Sequence, residues 1–326
     1  MRIVTLVSIA ALGTLFTAPP GSAQRTARSG DWEAELRWRP RQNEGRVLWI
    51  DFDGNSGRSG RGGDFGFMMK VSELSGLAAT DNRWSGPARF ELRRDAGVLR
   101  FEGRFEDGYG EGTYTFQPNE RFLQGLNVAG ADDVDDDELL AMLIHDVRTD
   151  WVTGLQSAGV RDMDGDDLLS MRIHGVTPEF VREIGQLGYR NPSPDKLVAL
   201  RIHGVTPEFI RNIRQNVDPT ASLNDLVSFR IHGVSPEFVR DIAQLGYTDV
   251  DPDDLVSMRI HGVSPNFIRS IFDTGLKPID LDELVSFRIH GVDADFIKEA
   301  TAAGVRLDPD DLVDYRIHDR KPKRKR

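Results

Sequence analysis

Histidine is the side chain best suited to chemistry near neutral pH, as metal ligand, proton carrier or pH sensor, and this chain of 326 residues has seven. Their spacing bears on which use applies. His145, His174, His203, His232, His261 and His290 are each 29 residues apart and His318 arrives one residue early, so every imidazole occupies one position of a repeating unit. Helices packed side by side lie about 8–10 Å apart, whereas two imidazoles on one zinc ion must each reach it within about 2.1 Å. The column therefore reads as structural. Each histidine is expected in the last turn of a helix, where imidazole can bond to free carbonyls and the dipole favours its charged form. A shared pH response of the seven groups is the other use the spacing allows, and no metal or cofactor is expected.

Arginine forms two further ladders. Arg172, Arg201, Arg230, Arg259, Arg288 and Arg316 precede each Ile-His pair, and Arg182, Arg211, Arg240 and Arg269 fall in a second set of helices. The second set is the candidate binding surface, a striped groove for an anionic polymer or an acidic peptide. The competing reading pairs the arginines with acids that open neighbouring helices. Residues 131–319 carry 36 Asp plus Glu against 18 Lys plus Arg, so such partners are abundant. The acidic run Asp162-Met163-Asp164-Gly165-Asp166-Asp167 fails as an EF-hand, because the sixth and twelfth places hold Asp167 and Ile173.

Composition narrows the chemistry further. With no cysteine there is no disulfide, thiolate metal site or thiol nucleophile. A net charge of -11 argues against a nucleic-acid backbone as the principal partner. Residues 1–23 read as a secretory signal peptide: Met1-Arg2, an apolar run from Ile3 to Phe16, and Gly21-Ser22-Ala23 at a cleavage site. The mature chain is then periplasmic or secreted, with no later segment apolar enough to span a bilayer.

The elements that must position these columns fall into two regions. In residues 24–119, Trp32, Ala34, Leu36 and Trp38 alternate with charged residues, and Val47 to Phe52 forms a second apolar run. Phe90 and Leu92, then Leu99, Phe101 and Phe105, then Tyr114 and Phe116 alternate in three runs separated by Asp95-Ala96-Gly97 and Asp107-Gly108-Tyr109-Gly110. Period two between glycine-rich turns predicts a small antiparallel β-meander, with residues 54–66 as a Gly-rich loop. The segment Phe101 to Tyr114 resembles one MORN hairpin. This region has no histidine, which excludes a Ser-His or His-metal site, whereas carboxylate pairs such as Asp51 and Asp53 are candidates for glycosidase chemistry.

Residues 120–319 predict helices. An aromatic column runs Phe122, Trp151, Phe180, Phe209, Phe238, Phe267 and Phe296, and a glycine column runs Gly130, Gly159, Gly188, Gly246, Gly275 and Gly304, with Val217 the exception. Asp251-Pro252-Asp253-Asp254 opens a helix by an N-cap oxygen, a proline at its first position and acids against the dipole, and Gly262 closes it. Ser235-Pro236-Glu237 opens the partner helix, which Gly246 ends. Each row is an αα-hairpin that cannot bury its apolar face alone, so the rows stack into a short right-handed α-solenoid. The fold class is α+β and multidomain. Phe122-Leu123 marks a half-repeat, and His145-Asp146 and His318-Asp319 mark polar end rows. Residues 320–326 are a basic tail.

The repeat "LVSxRIHGVSPEFVRDIAQLGY" resembles tandem repeats of exported bacterial proteins, including some that carry a BlaR-type transmembrane metallopeptidase sensor domain. The resemblance implies an envelope context and an interaction or sensory role. It does not bring the peptidase, since no His-Glu-x-x-His sequence occurs. The expectation is a non-enzymatic envelope binding, scaffold or sensory protein whose solenoid faces another protein or an anionic polymer. The alternative is an envelope hydrolase using carboxylates of the β-region.

Overall fold

The computed structural model describes residues 28–39, 45–52, 65–131, 133–216 and 219–318. The expected signal peptide and basic tail, and Asp53, Val217 and Asp319, lie outside them. Six antiparallel strands come first: β1 Arg28–Arg39, β2 Gly45–Phe52, β3 Phe65–Lys70, β4 Gly86–Arg94, β5 Gly97–Glu106 and β6 Tyr109–Pro118. They form one sheet in the order β3-β2-β1-β6-β5-β4, two three-stranded meanders joined edge to edge by β1 and β6. The expected loop 54–66 is corrected at its end. β3 starts at Phe65 and turns Phe67 and Met69 inward in the same period-two pattern as its neighbours.

The sheet curls around its aromatic face. Phe52 on β2 stacks on Phe101 of β5 with ring centroids 6.2 Å apart and meets Tyr114 of β6 at 4.4 Å, across the intervening strands. At the centre, Trp32 contacts Phe90, Phe101 and Phe105 at 5.6–5.7 Å, and its indole donates to Thr113 O at 3.1 Å. The glycines of the MORN-like hairpin make room for it. A Cβ on Gly110 would come within 2.8 Å of the Trp32 ring, and one on Gly103 or Gly112 would overlap a carbonyl of the opposing strand.

Fourteen helices follow among the described residues: α1 Glu120–Val128, α2 Asp136–Ile144, α3 Thr149–Ser157, α4 Gly165–Ile173, α5 Pro178–Gln186, α6 Pro194–Ile202, α7 Pro207–Asn216, α8 Leu223–His232, α9 Pro236–Gln244, α10 Pro252–Ile260, α11 Pro265–Phe272, α12 Leu281–His290, α13 Ala294–Ala302 and α14 Pro309–His318. Even helices pack on even and odd on odd from row to row, giving two parallel layers, and α1 is a lone odd helix against α3. The caps follow the predicted chemistry. Asp251 accepts from Asp253 N and Ser235 from Phe238 N, and the glycines that close the helices sit at positive φ, Gly175, Gly204, Gly233, Gly262 and Gly291 after the first helix of a row and Gly246, at 104°, after the second. No helix of the described residues is long and apolar enough to cross a membrane.

The sheet is fastened to the first row by two residues of the β4–β5 turn region. Arg94 donates to the carbonyls of Leu143 and Ile144 at 2.9 and 2.5 Å, at the end of α2. Asp95 accepts from Thr149 N at 3.1 Å and supplies the cap that Arg148 lacks at the start of α3. Asp146 is not the polar end cap expected of it. It takes the left-handed turn position at φ 56° and its carboxylate bridges Arg172 at 3.1 Å and Arg94 at 3.8 Å, because the row is covered by the sheet.

Candidate functional site

Among the described residues the arginines of the even helices form no ion pair with acids of neighbouring helices; Arg172 alone meets an acid, Asp146 in the turn after α2. Each reaches back one row. Arg201, Arg230, Arg259 and Arg288 place their guanidinium 4.9–5.3 Å from the ring centroid of Phe180, Phe209, Phe238 and Phe267. Their Nε donates at 3.4 Å to the carbonyl of His174, His203, His232 and His261. Arg172 does the same over Trp151 and to His145 O at 2.9 Å, and Arg316 lies 4.7 Å from the Phe296 centroid. The ladder is an inter-row staple of a planar cation on an aromatic face plus a hydrogen bond to a helix C-terminus. Phe122 is buried at the head of the aromatic column. Tyr189 and Tyr247 add a second tie, donating to Ala221 O at 2.5 Å and Ile279 O at 2.7 Å in the next row. Burial, then Asp280 and Glu283, push the Tyr247 phenol up to about 12, which keeps it a donor.

The histidine column contributes chiefly through its backbone. His290 and His318 place Nδ1 on the carbonyls of Ser286 and Asp314 at 2.9 and 3.0 Å, the carbonyl contact expected for all. The His174, His203 and His261 side chains stand exposed and His232 is part-exposed. Among the described residues no three His, Asp or Glu side chains converge as metal ligands. His145 differs because the sheet half-covers it: burial, then Arg94 and Arg172, hold its imidazole below the ordinary histidine range. Unfolding lets it take up a proton near pH ~6.5, so its contribution is complete above that pH and is lost as pH falls toward the folded value. Between pH 7.5 and 5, H145Q is expected to lose less of its urea midpoint than the wild type. An unchanged gap between the two proteins would refute this.

The candidate binding arginines lie exposed on the odd helices, and two are held locally. Arg182 pairs with Glu179 at 2.7 Å and Arg240 with Glu237 at 3.1 Å, one turn away in the same helix, while Arg269 donates to Asn266 at 2.9 Å. Arg211 is exposed on the same face. Two of the four arginines thus have their charge met by an acid of their own helix, which reduces what the ladder offers to a polyanion.

The opposite layer carries a feature that the residue columns held but the sequence reading passed over. Ile173, Ile202, Ile231, Ile260, Ile289 and Ile317 are 52–57% exposed, one per row. Beneath them at i-4 lie the partly buried Leu169, Val198, Val227, Val256, Val285 and Val313. With rows about 8–10 Å apart, the stripe is about 40–50 Å long. Its signal was legible in one helix: Ile260 comes five residues after buried Leu255 and two after buried Met258, which puts it about 140° and 200° around the helix, away from the core. Acids border the stripe at the helix N-termini. Glu138, Asp167 and Asp254 are raised above the usual carboxylate range, by burial first and then by acids that include members of the adjoining row.

The carboxylates of the sheet show a different arrangement. Asp51 accepts from Trp49 Nε1 at 2.7 Å. Glu33 and Glu111 are directly opposed on β1 and β6 in a shallow open concavity with Arg104, Glu106 and Tyr109, and both are exposed. No protein-family model matches the chain, and no curated protein is detectably similar to it.

Proposed function

We propose that the chain is a non-enzymatic binding or scaffold protein of the cell envelope that presents the even-helix face of its stack to another protein. The observation that carries this reading is the isoleucine column. Six large aliphatic side chains more than half exposed, one per row on the same layer, form the kind of exposed apolar surface that marks an interaction site. An anionic polymer is the poorer fit, since Arg182 and Arg240 are engaged by acids of their own helices. The signal-like N-terminus and the repeat resemblance support the envelope setting. A hydrolase would favour acids on the floor of a cleft, whereas Glu33 and Glu111 stand on an open sheet face.

The test compares two variants of the full chain in retention of envelope proteins. I202S/I231S/I260S is expected to lose at least ten-fold in retained protein, and R182A/R211A/R240A/R269A to keep it. Equal retention by the isoleucine variant, with loss in the arginine variant, would reverse the assignment.

A further inference from the structure

The first row shows what fits this face, because there it is already covered. Leu140 and Ile144 occupy the positions of the open stripe, yet they are only 4% and 7% exposed. The cover is the chain's own sheet, which touches α2 through β5 and β6. Two arginines hold it. Arg28 pairs with Asp137 at the start of α2, and Arg94 binds the carbonyls of Leu143 and Ile144 at its end. Buried apolar side chains of the sheet and of α2 belong to one continuous cluster.

Both anchor points recur down the stack. Asp137 aligns with Asp166, Asp195, Asp253, Asp282 and Asp310, with Asn224 in the remaining row. The end of α2 aligns with the C-terminal turns that carry the exposed isoleucines. Residues 131–319 hold twice as many acids as bases, 36 against 18, so the open face suits a partner of positive charge.

We infer that rows two to seven repeat the docking surface that row one uses internally, and that their occupant is a basic, aliphatic polypeptide segment of another protein. Its arginine or lysine side chains lie against the aspartate column and its aliphatic side chains against the Val-Ile stripe. This rests on the reading of the even-helix face as a protein-binding surface and adds the chemistry of the partner.

The experiment uses the full chain and three labelled twelve-residue peptides, alternating arginine with valine, arginine with serine, and glutamate with valine, followed by fluorescence anisotropy. The arginine–valine peptide is expected to bind saturably and at least ten-fold more tightly than either control. I231S/I260S and D253N/D282N, each shown by circular dichroism to keep its helices, are each expected to weaken it at least five-fold. Equal binding of the arginine–serine peptide would reduce the effect to charge alone and overturn the inference, as would tighter binding of the glutamate–valine peptide or unchanged binding in either variant. Isoleucine-dependent retention of envelope proteins alongside failure of all three peptides would overturn the basic-partner chemistry and leave the proposed function standing. Failure of both would remove the proposed function as well.

Discussion

Changing Arg201, Arg230, Arg259 and Arg288 together to alanine is expected to cost the helical region about 4–8 kcal/mol, from about 1–2 kcal/mol per row. Each loses a cation over an aromatic ring at 4.9–5.3 Å and a donor to the preceding row's histidine carbonyl. The rows are alike and distant enough for the losses to add nearly independently. A total of this size is comparable with the whole stability of an ordinary domain. The same four-fold change at Arg182, Arg211, Arg240 and Arg269 removes only exposed side chains and short local pairs, and is expected to cost under about 2 kcal/mol in sum. Urea denaturation followed by far-ultraviolet dichroism separates the two. Similar midpoints for the two variants would mean that the even-helix arginines are not staples. The pair Arg259→Ala and Phe238→Leu, made singly and together, should show a coupling of about 0.5–1 kcal/mol if the ring and the guanidinium act as one unit.

The second large effect belongs to a single residue. Phe229 is fully buried in α8, midway along the stack, and Phe229→Ala is expected to cost about 3–5 kcal/mol through lost transfer energy and the cavity left behind. Because each row touches only its neighbours, the loss stays local before it spreads. Hydrogen exchange should therefore rise in α6, α8 and α10 while β4, β5 and β6 keep their protection. A uniform rise over sheet and helices would show one cooperative unit in place of a chain of nearest-neighbour contacts.

Much of this architecture can be read from residue columns, because a repeat states each local rule several times. Left-handed glycines, proline at the first helical position and Asp or Ser caps depend on chain neighbours alone, and they appear where the spacing puts them. β3 was hidden because Phe65 follows a glycine-rich run whose composition dominates its surroundings, although Phe67 and Met69 carried the alternation. The partners of the even-helix arginines were misjudged for a different reason. Counting acids measures availability, whereas a guanidinium one row from an aromatic ring and a helix end finds a flat face and a carbonyl within reach. The junction was out of range altogether: Asp95 caps a helix that begins 54 residues later, and no periodicity announces a contact made once. It is this junction that turns Asp146 from an end cap into a bridge and sets His145 apart from the rest of its column.

The isoleucine ladder has the same origin. Arg and Ile adjoin in every row and both lie outside the core: the arginine folds back over the previous row's ring, and the isoleucine, on the side of the helix away from buried positions such as Leu255 and Met258, points to solvent. A stack held by its arginines thus leaves an aliphatic column exposed. The direct test places a photo-crosslinking residue at Ile231 in one chain and at Arg211 in another, within the intact protein in its native cells. Crosslinks to another polypeptide from position 231, and at least ten-fold fewer from 211, are the predicted result. Crosslinks from 211 with none from 231 would contradict the account.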